Sequence, residues 1–160
     1  MSASHDSNNK KLIAQLKRDE GSVKNAFGLH VPYRCTAGKL TLGYGHNLDA
    51  NPIGGLGEHS TISETDATRI LEDDARRVKD QVTRAFPWAA SLDAPRFAVL
   101  VNMAFNMGIR GLYTFTNTLS AVQSGEYEDA ARRMIASKWA TQVGNRARRL
   151  AKQMETGQWQ

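Results

Sequence analysis

Eight of the chain's 13 glycines fall between residues 21 and 60. Glycine tolerates backbone conformations that other residues resist, and it weakens helix interiors. That stretch also holds two of the four prolines, so it excludes a long helix. It leaves short strands joined by tight turns. Lys39-Leu-Thr-Leu42 suits a strand and Thr36-Ala-Gly38 a turn, which predicts a small twisted sheet with hairpin turns over residues 22–60.

Helical spacing surrounds this segment. Leu12, Ile13 and Leu16 predict a first helix over residues 10–20 that stops at Gly21, with Glu20 at its C-terminal end. There the helix dipole disfavours negative charge and tends to raise a carboxyl pKa. Ser63 with Asp66 resembles a capping box. Beyond it Ala67, Ile70, Leu71, Val78 and Val82 recur at three- to four-residue steps among many charges. A helix over residues 61–86, solvated on most sides and stopped by Pro87, fits a connector between two lobes.

Asp93-Ala-Pro-Arg96 starts the next helix, since aspartate caps and proline tolerates an early helical position. Its apolar face is Phe97, Leu100, Val101, Ala104 and Phe105, and Gly108 stops it. Further helices are expected over 117–123, 126–137 and 145–155. The fold class expected is α+β, mostly α. One domain over residues 10–160 comprises a small antiparallel β lobe (22–60), a connecting helix (61–86) and a helical lobe (10–20 and 87–160). Residues 1–9 lack the apolar core of a secretory signal and read as a short disordered tail.

The net charge is +5. From Arg132 onward there are seven basic residues and one acidic. Such a field suits a polyanionic partner: nucleic acid, anionic lipid or an acidic cell wall. No stretch approaches the roughly 18–20 apolar residues that span a bilayer. A single cysteine excludes an intrachain disulfide, and with no export signal the expectation is synthesis in a reducing cytoplasm. Four histidines and one cysteine argue against a zinc site, and no cofactor is implied.

The residues able to carry chemistry gather in one region: Glu20, Cys35, Thr41 and Gly43-Tyr-Gly-His46. Neither a G-x-G-x-x-G run nor a phosphate-loop lysine accompanies those glycines, so a tight turn is the plainer reading. A lone histidine is more often a hydrogen-bonded core residue than a ligand. Cys35 reads as a small buried hydrophobe, as a thiolate favoured by Arg34, or as half of a Cys35/His46 thiol pair. Residue types alone leave these alternatives open.

Longer motifs narrow them. Arg18-Asp-Glu20-Gly, followed by Thr41-Leu-Gly-Tyr-Gly-His46, resembles the catalytic segment of phage-type lysozymes, glycoside hydrolase family 24, the T-even phage group. Asn102-Met-Ala-Phe-Asn-Met-Gly108, Phe115-Thr-Asn-Thr-Leu119, Ser137-Lys-Trp139, Asn145-Arg-Ala-Arg-Arg149 and Thr156-Gly-Gln-Trp159 match in the same order. The resemblance covers roughly residues 10–159 and implies a two-lobed lysozyme-like fold. It makes Glu20 the proton donor to a glycosidic oxygen and places Thr41 near the attacking water. It pairs His46 with Asp74, brings Arg146 toward Glu20, and assigns substrate contacts to Asn47, Phe105, Thr118 and Arg133.

Asn47 and Arg133 depart in residue type from the best-known member, and Cys35 stands where the best-known enzymes carry aspartate. A thiol of ordinary pKa about 8.5 is mostly protonated at neutral pH, and a nearby Glu20 carboxylate would push it higher. That favours a water-positioning or auxiliary nucleophilic role for Cys35 over a permanent thiolate, with the anomeric outcome open. The resemblance implies an endolysin muramidase that cuts the β-1,4 bond between N-acetylmuramic acid and N-acetylglucosamine for host cell lysis. It would be made in the host cytoplasm and released to the wall. Its expected partners are bacterial peptidoglycan and the anionic cell-envelope surface, as a monomer without nucleic acid or stable membrane insertion. Two alternatives remain: a non-catalytic wall-binding module, and a Cys35/His46 peptidase of wall cross-links.

Overall fold

In the computed structural model, which describes residues 2–160, the first helix α1 runs from Ala3 to Glu20. It therefore starts well before the expected Lys10, and residues 3–9 are helical where a disordered tail was expected. Ser2 supplies the start: its carbonyl and hydroxyl both accept the His5 N–H, in the manner of an N-cap. Asn9 is anchored by Lys79, whose Nζ donates to its side-chain oxygen at 2.7 Å.

Three short strands follow: β1 (Tyr33–Arg34), β2 (Leu40–Leu42) and β3 (His46–Asn47). They form an antiparallel sheet in that order, with Tyr33 opposite Thr41 and Leu42 opposite His46. Only seven residues of the glycine-rich stretch are strand, and turns and loops take the rest. Then come α2 (Glu64–Ala85), a single 3-10 segment (Pro87–Ser91) and α3 (Ala94–Tyr113). After them lie α4 (Thr116–Gln123), α5 (Tyr127–Ile135), α6 (Lys138–Val143) and α7 (Asn145–Thr156). The result is a mostly helical α+β fold.

The chain divides into two compact units, one of residues 12–77 and one of residues 1–11 with 78–160. The boundaries lie inside α1 and α2, so the second half of α1 belongs with the sheet. In the sheet unit, Leu42, Leu48, Ile62 and Ala67 form a buried core, with Leu40, Tyr44, Ile53, Leu56 and Ile70 packed on it. Ser63 caps α2 by accepting the Asp66 N–H at 3.1 Å, as its spacing predicted.

In the helical unit α3 is buried on every side from Ala98 to Ala104 rather than along one stripe. Asp93 caps it as predicted. Arg96 closes α7: Nε and Nη2 donate to the carbonyls of Met154 and Glu155 at 2.7 and 2.9 Å. Its guanidinium carbon also lies 3.7 Å from the Tyr127 ring centroid. These contacts satisfy carbonyls that every helix C-terminus leaves without partners. Helix α6 was not foreseen. Ser137 caps it, and its buried Trp139 donates an indole N–H to Asn106 at 2.7 Å.

Gly108 interrupts α3 with φ 78° and ψ 161°. A Cβ there would meet no atom within 4 Å, so the constraint is purely on the backbone. An ordinary helical glycine gains about 1 kcal/mol on replacement by alanine. Gly108→Ala is expected instead to destabilise by about 1–3 kcal/mol, because only glycine occupies this region without strain. Urea unfolding of the two proteins reads the sign directly.

Candidate active site

Glu20 is the last residue of α1, and Gly21 turns the chain away with φ 63°, its N–H donating to the Lys17 carbonyl at 3.0 Å. This is the glycine stop that the sequence signalled. The Glu20 carboxylate lies against the β2–β3 turn, Gly43-Tyr44-Gly45. A Cβ on Gly45 would stand 2.9 Å from Glu20 Oε2 and 3.2 Å from its Cδ, and φ at Gly45 is 80°. Gly45 is thus required twice, by its own backbone and by the side chain laid over it.

Cys35 follows β1 at the start of the hairpin into β2. Its N–H donates to the Lys39 carbonyl, and its carbonyl accepts the Gly38 N–H at 2.8 Å, which confirms the predicted turn. The thiol is half-buried and free. Its pKa is lowered: the Lys39 N–H bonds to the sulfur, then that of Ala37, with a smaller contribution from the Thr41 hydroxyl, against a modest desolvation cost. The expected upward push from Glu20 is therefore overturned. The turn aims main-chain donors at the sulfur, and such donors favour the charged form. Arg34 plays no part in this, since its guanidinium binds Glu58 at 2.6 Å and Asp49 at 3.8 Å.

Thr41 is buried in β2, and its Oγ1 donates to the Lys39 carbonyl at 3.0 Å. That bond takes the single proton of its hydroxyl. Opposite it in β1, Tyr33 reports on the whole group. Burial raises its pKa most, followed by the charges of Glu20 and then Cys35. Glu20, Cys35 and Thr41 all lie in the sheet unit, with Glu20 against the β2–β3 turn, Thr41 in β2 and Cys35 directly after β1.

His46 and Asp74 pair as expected. Nδ1–H donates to Asp74 Oδ2 at 2.7 Å and Nε2–H to the Asn51 carbonyl at 2.8 Å. Both are buried, and Asp74 also accepts from Arg77 at 3.0 Å. Burial alone would lower the His46 pKa, but the hydrogen bond and charge of Asp74, with the Asn51 carbonyl, raise it. Both ring nitrogens face acceptors, an arrangement that favours the protonated ring. It has no nitrogen left to take a proton from Cys35, so the thiol-peptidase alternative lacks its base.

The remaining predicted residues are spread over both units. Asn47 sits in β3 opposite Thr41, its side chain accepting the Ala50 N–H at 3.0 Å. Thr118 and Arg133 line one groove of about 540 Å³ in the helical unit, together with Phe115, Asn117, Lys138 and Trp139. Phe105 is half-buried on α3, outside the residues lining that groove. Arg133 is held by Asp129 at 2.9 Å. Arg146 is buried in the helical unit, donating from Nε to the Asn102 side chain at 2.9 Å. Among the described residues no group of three or more His, Cys, Asp or Glu side chains could hold a metal.

One cluster escaped the sequence reading: Ser22, His30, Tyr44 and Glu64 with Lys17. His30 is fully buried, bonded through Nδ1 to Ser22 at 2.6 Å and through Nε2 to Glu64 at 2.7 Å. No periodicity marks these partners, which lie up to 47 residues apart.

The raised His46 pKa sets a pH window. The His46–Asp74 interaction is present in full below the unfolded value of about 6.5 and is lost as pH rises through the higher folded value. Breaking a buried pair from one side costs about 3–5 kcal/mol. Unfolding free energies of the native protein and Asp74→Asn should therefore differ most near pH 5.5 and converge partly by pH 9. A constant gap would mean that His46 is neutral in the fold.

Comparison with known proteins gives the chain's family. Residues 24–155 match the phage lysozyme family model. The chain is similar to the pre-baseplate central spike protein Gp5 of Enterobacteria phage T4, with 28% identity over 95% of this chain. It covers 29% of that protein, so it spans under a third of the spike's length. It is also similar to probable T4-type lysozyme 2 of Dictyostelium discoideum, at 26% identity over 91% of this chain and 94% of that protein. An endolysin of Acyrthosiphon pisum secondary endosymbiont phage 1 shares 27% identity over 81% of this chain and 77% of its own length. With four-fifths of its residues under one family model and the Glu20, Cys35 and Thr41 group built around its sheet, the chain belongs to the phage lysozyme family.

Proposed function

We propose that this protein is an endolysin muramidase that hydrolyses the β-1,4 bond between N-acetylmuramic acid and N-acetylglucosamine in bacterial peptidoglycan. The observation that carries this reading is Glu20, its carboxylate seated on Gly45 at the β2–β3 turn, in the small sheet that also holds Thr41 and is entered through the Cys35 hairpin. Glycoside hydrolysis needs an acid for the leaving oxygen and a second group that delivers water or attacks the anomeric carbon. Glu20 protonates the glycosidic oxygen. Cys35, whose thiol pKa the Lys39 and Ala37 N–H groups lower, holds the attacking water together with the Thr41 hydroxyl. Asn47 contacts the glycan strand from the sheet unit, and Phe105, Thr118 and Arg133 are the glycan contacts of the helical unit.

The enzyme acts as a monomer, made in the host cytoplasm and released to the wall at lysis. The seven basic residues against one acidic from Arg132 onward draw it to the anionic envelope surface, an attraction that salt weakens. A second reading, wall opening at the start of infection, is favoured by the similarity to a spike protein. Mass spectrometry of purified virions separates the two, since an endolysin is absent from the particle.

Digestion of purified peptidoglycan is expected to release new reducing ends at N-acetylmuramic acid and no new free amines. Free amines would indicate a peptidase, and neither product would indicate a binding module. Loss of a general acid costs about 10²–10⁴-fold in rate. Glu20→Gln should therefore abolish measurable lysis, and near-normal lysis would remove Glu20 from the mechanism.

Replacement of Cys35 tests the second group. Aspartate should be the best tolerated of Cys35→Asp, Cys35→Ser and Cys35→Ala, because only aspartate restores an anion to the turn. Full activity in Cys35→Ala would reduce the residue to packing. Anomer-resolved NMR should show inversion, and retention would make the sulfur the nucleophile.

A further inference from the structure

Glu64 opens α2 and collects donors from separate parts of the sheet unit. Lys17 Nζ lies 2.9 Å from its Oε1, His30 Nε2 lies 2.7 Å from its Oε2, and the Tyr44 hydroxyl is 2.9 Å from both. Lys24 adds a longer contact at 3.4 Å. Two of these donors flank the seat of Glu20. Lys17 is three residues before it on α1, and Tyr44 immediately precedes Gly45, on which its carboxylate rests.

Tyr44 is held from three sides. Glu64 takes its hydroxyl, Lys17 Nζ stands 5.3 Å from its ring centroid, and the His30 ring meets it edge-on at 5.1 Å. The carboxylate therefore fixes the end of α1 and the Gly43–Gly45 turn to one point. Those are the two pieces of backbone whose separation sets where the Glu20 carboxyl can go.

We infer that Glu64 is a positioning residue for Glu20, acting through Lys17 and Tyr44; this rests on Glu20 being the proton donor. Acid does not release the clamp over an ordinary working range. Burial raises the Glu64 carboxyl pKa, but the His30, Lys17 and Tyr44 hydrogen bonds outweigh it and hold the value at about 2. A displacement near 1 Å at a catalytic group can cost about a hundredfold in rate, so a loosened clamp registers in turnover.

The test uses the full chain on soluble, uncross-linked peptidoglycan strands, read as new reducing ends at a temperature well below each variant's melting point. Glu64→Ala is expected to lower kcat about tenfold or more with KM within about twofold. Glu64→Gln should recover most of the loss, because its amide oxygen still accepts from Lys17 and Tyr44. Tyr44→Phe removes one arm and should fall between them.

A purely structural Glu64 would lower the melting temperature and leave kcat of the folded protein unchanged. Wild-type kcat in folded Glu64→Ala, or in Tyr44→Phe should Glu64→Ala fail to fold, overturns the inference. So does a rise in KM alone, or a Gln variant as slow as the Ala variant. Glu20→Gln assayed in parallel separates the two readings. If it is active, the role of Glu20 falls; if it is inactive while folded Glu64→Ala turns over normally, only the positioning role falls.

Discussion

The carboxylate of Glu64 is nearly half exposed, yet the arrangement of residues 12–77 hangs on it. An isolated surface ion pair contributes about 0–1 kcal/mol, because solvent screens it and two long side chains must be ordered. Here the ordering is shared. One acceptor serves an ammonium, a fully buried imidazole and a phenol, and the phenol's ring is itself packed between the other two donors. The opposite shifts of the two partners show the coupling. Glu64 is held down to about 2, while burial and then the Glu64 carboxylate push Tyr44 up to about 12. The carboxylate's contribution is complete above about pH 4.5 and fades as pH falls toward 2; the phenol's is complete below about pH 10 and fades toward 12.

The helical unit solves a different problem. Its central helix α3 is buried around its whole circumference, so its ends and neighbours must absorb the polar atoms that come with it. Gln153 donates to the Pro95 carbonyl at 2.7 Å, Arg96 takes the last carbonyls of α7, and Arg146 binds the Asn102 side chain. Each uses a long side chain to reach a group that no regular helix contact satisfies. The break at Gly108 then kinks α3 five residues before its end, between Met107 and Gly111, which line the groove shared by Thr118 and Arg133.

Local rules account for what was readable in the chain. Ser63 and Asp93 cap where their spacing puts them, Gly38 makes its turn, and Gly21 ends α1 beside Glu20. These signals work because donor and acceptor lie within four residues. The failures have the opposite character. Helix α1 begins at Ala3 because Ser2 caps it and Lys79 holds Asn9 from 70 residues away. Glu64 reads as one more acidic residue in the first turn of a helix, where a negative charge is already favourable. Its three partners come from α1, a loop and a hairpin turn, which no periodic pattern connects. Gly45 is half legible: its turn conformation shows in the sequence, while the carboxylate lying over it does not.

Cys35 shows the same division between side-chain type and backbone. Reasoning from residue types set a weakly acidic thiol against a neighbouring carboxylate, and the thiol should then stay protonated. The hairpin reverses the balance by directing the Lys39 and Ala37 N–H groups onto the sulfur. Those donors belong to the main chain, and the turn that orients them is closed by Gly38 at φ 75° and by the Cys35 backbone itself. They would meet any side chain of similar length at this position. What the fold offers residue 35 is therefore a set of main-chain donors beside a threonine hydroxyl, a setting that favours the charged form of whichever acid stands there.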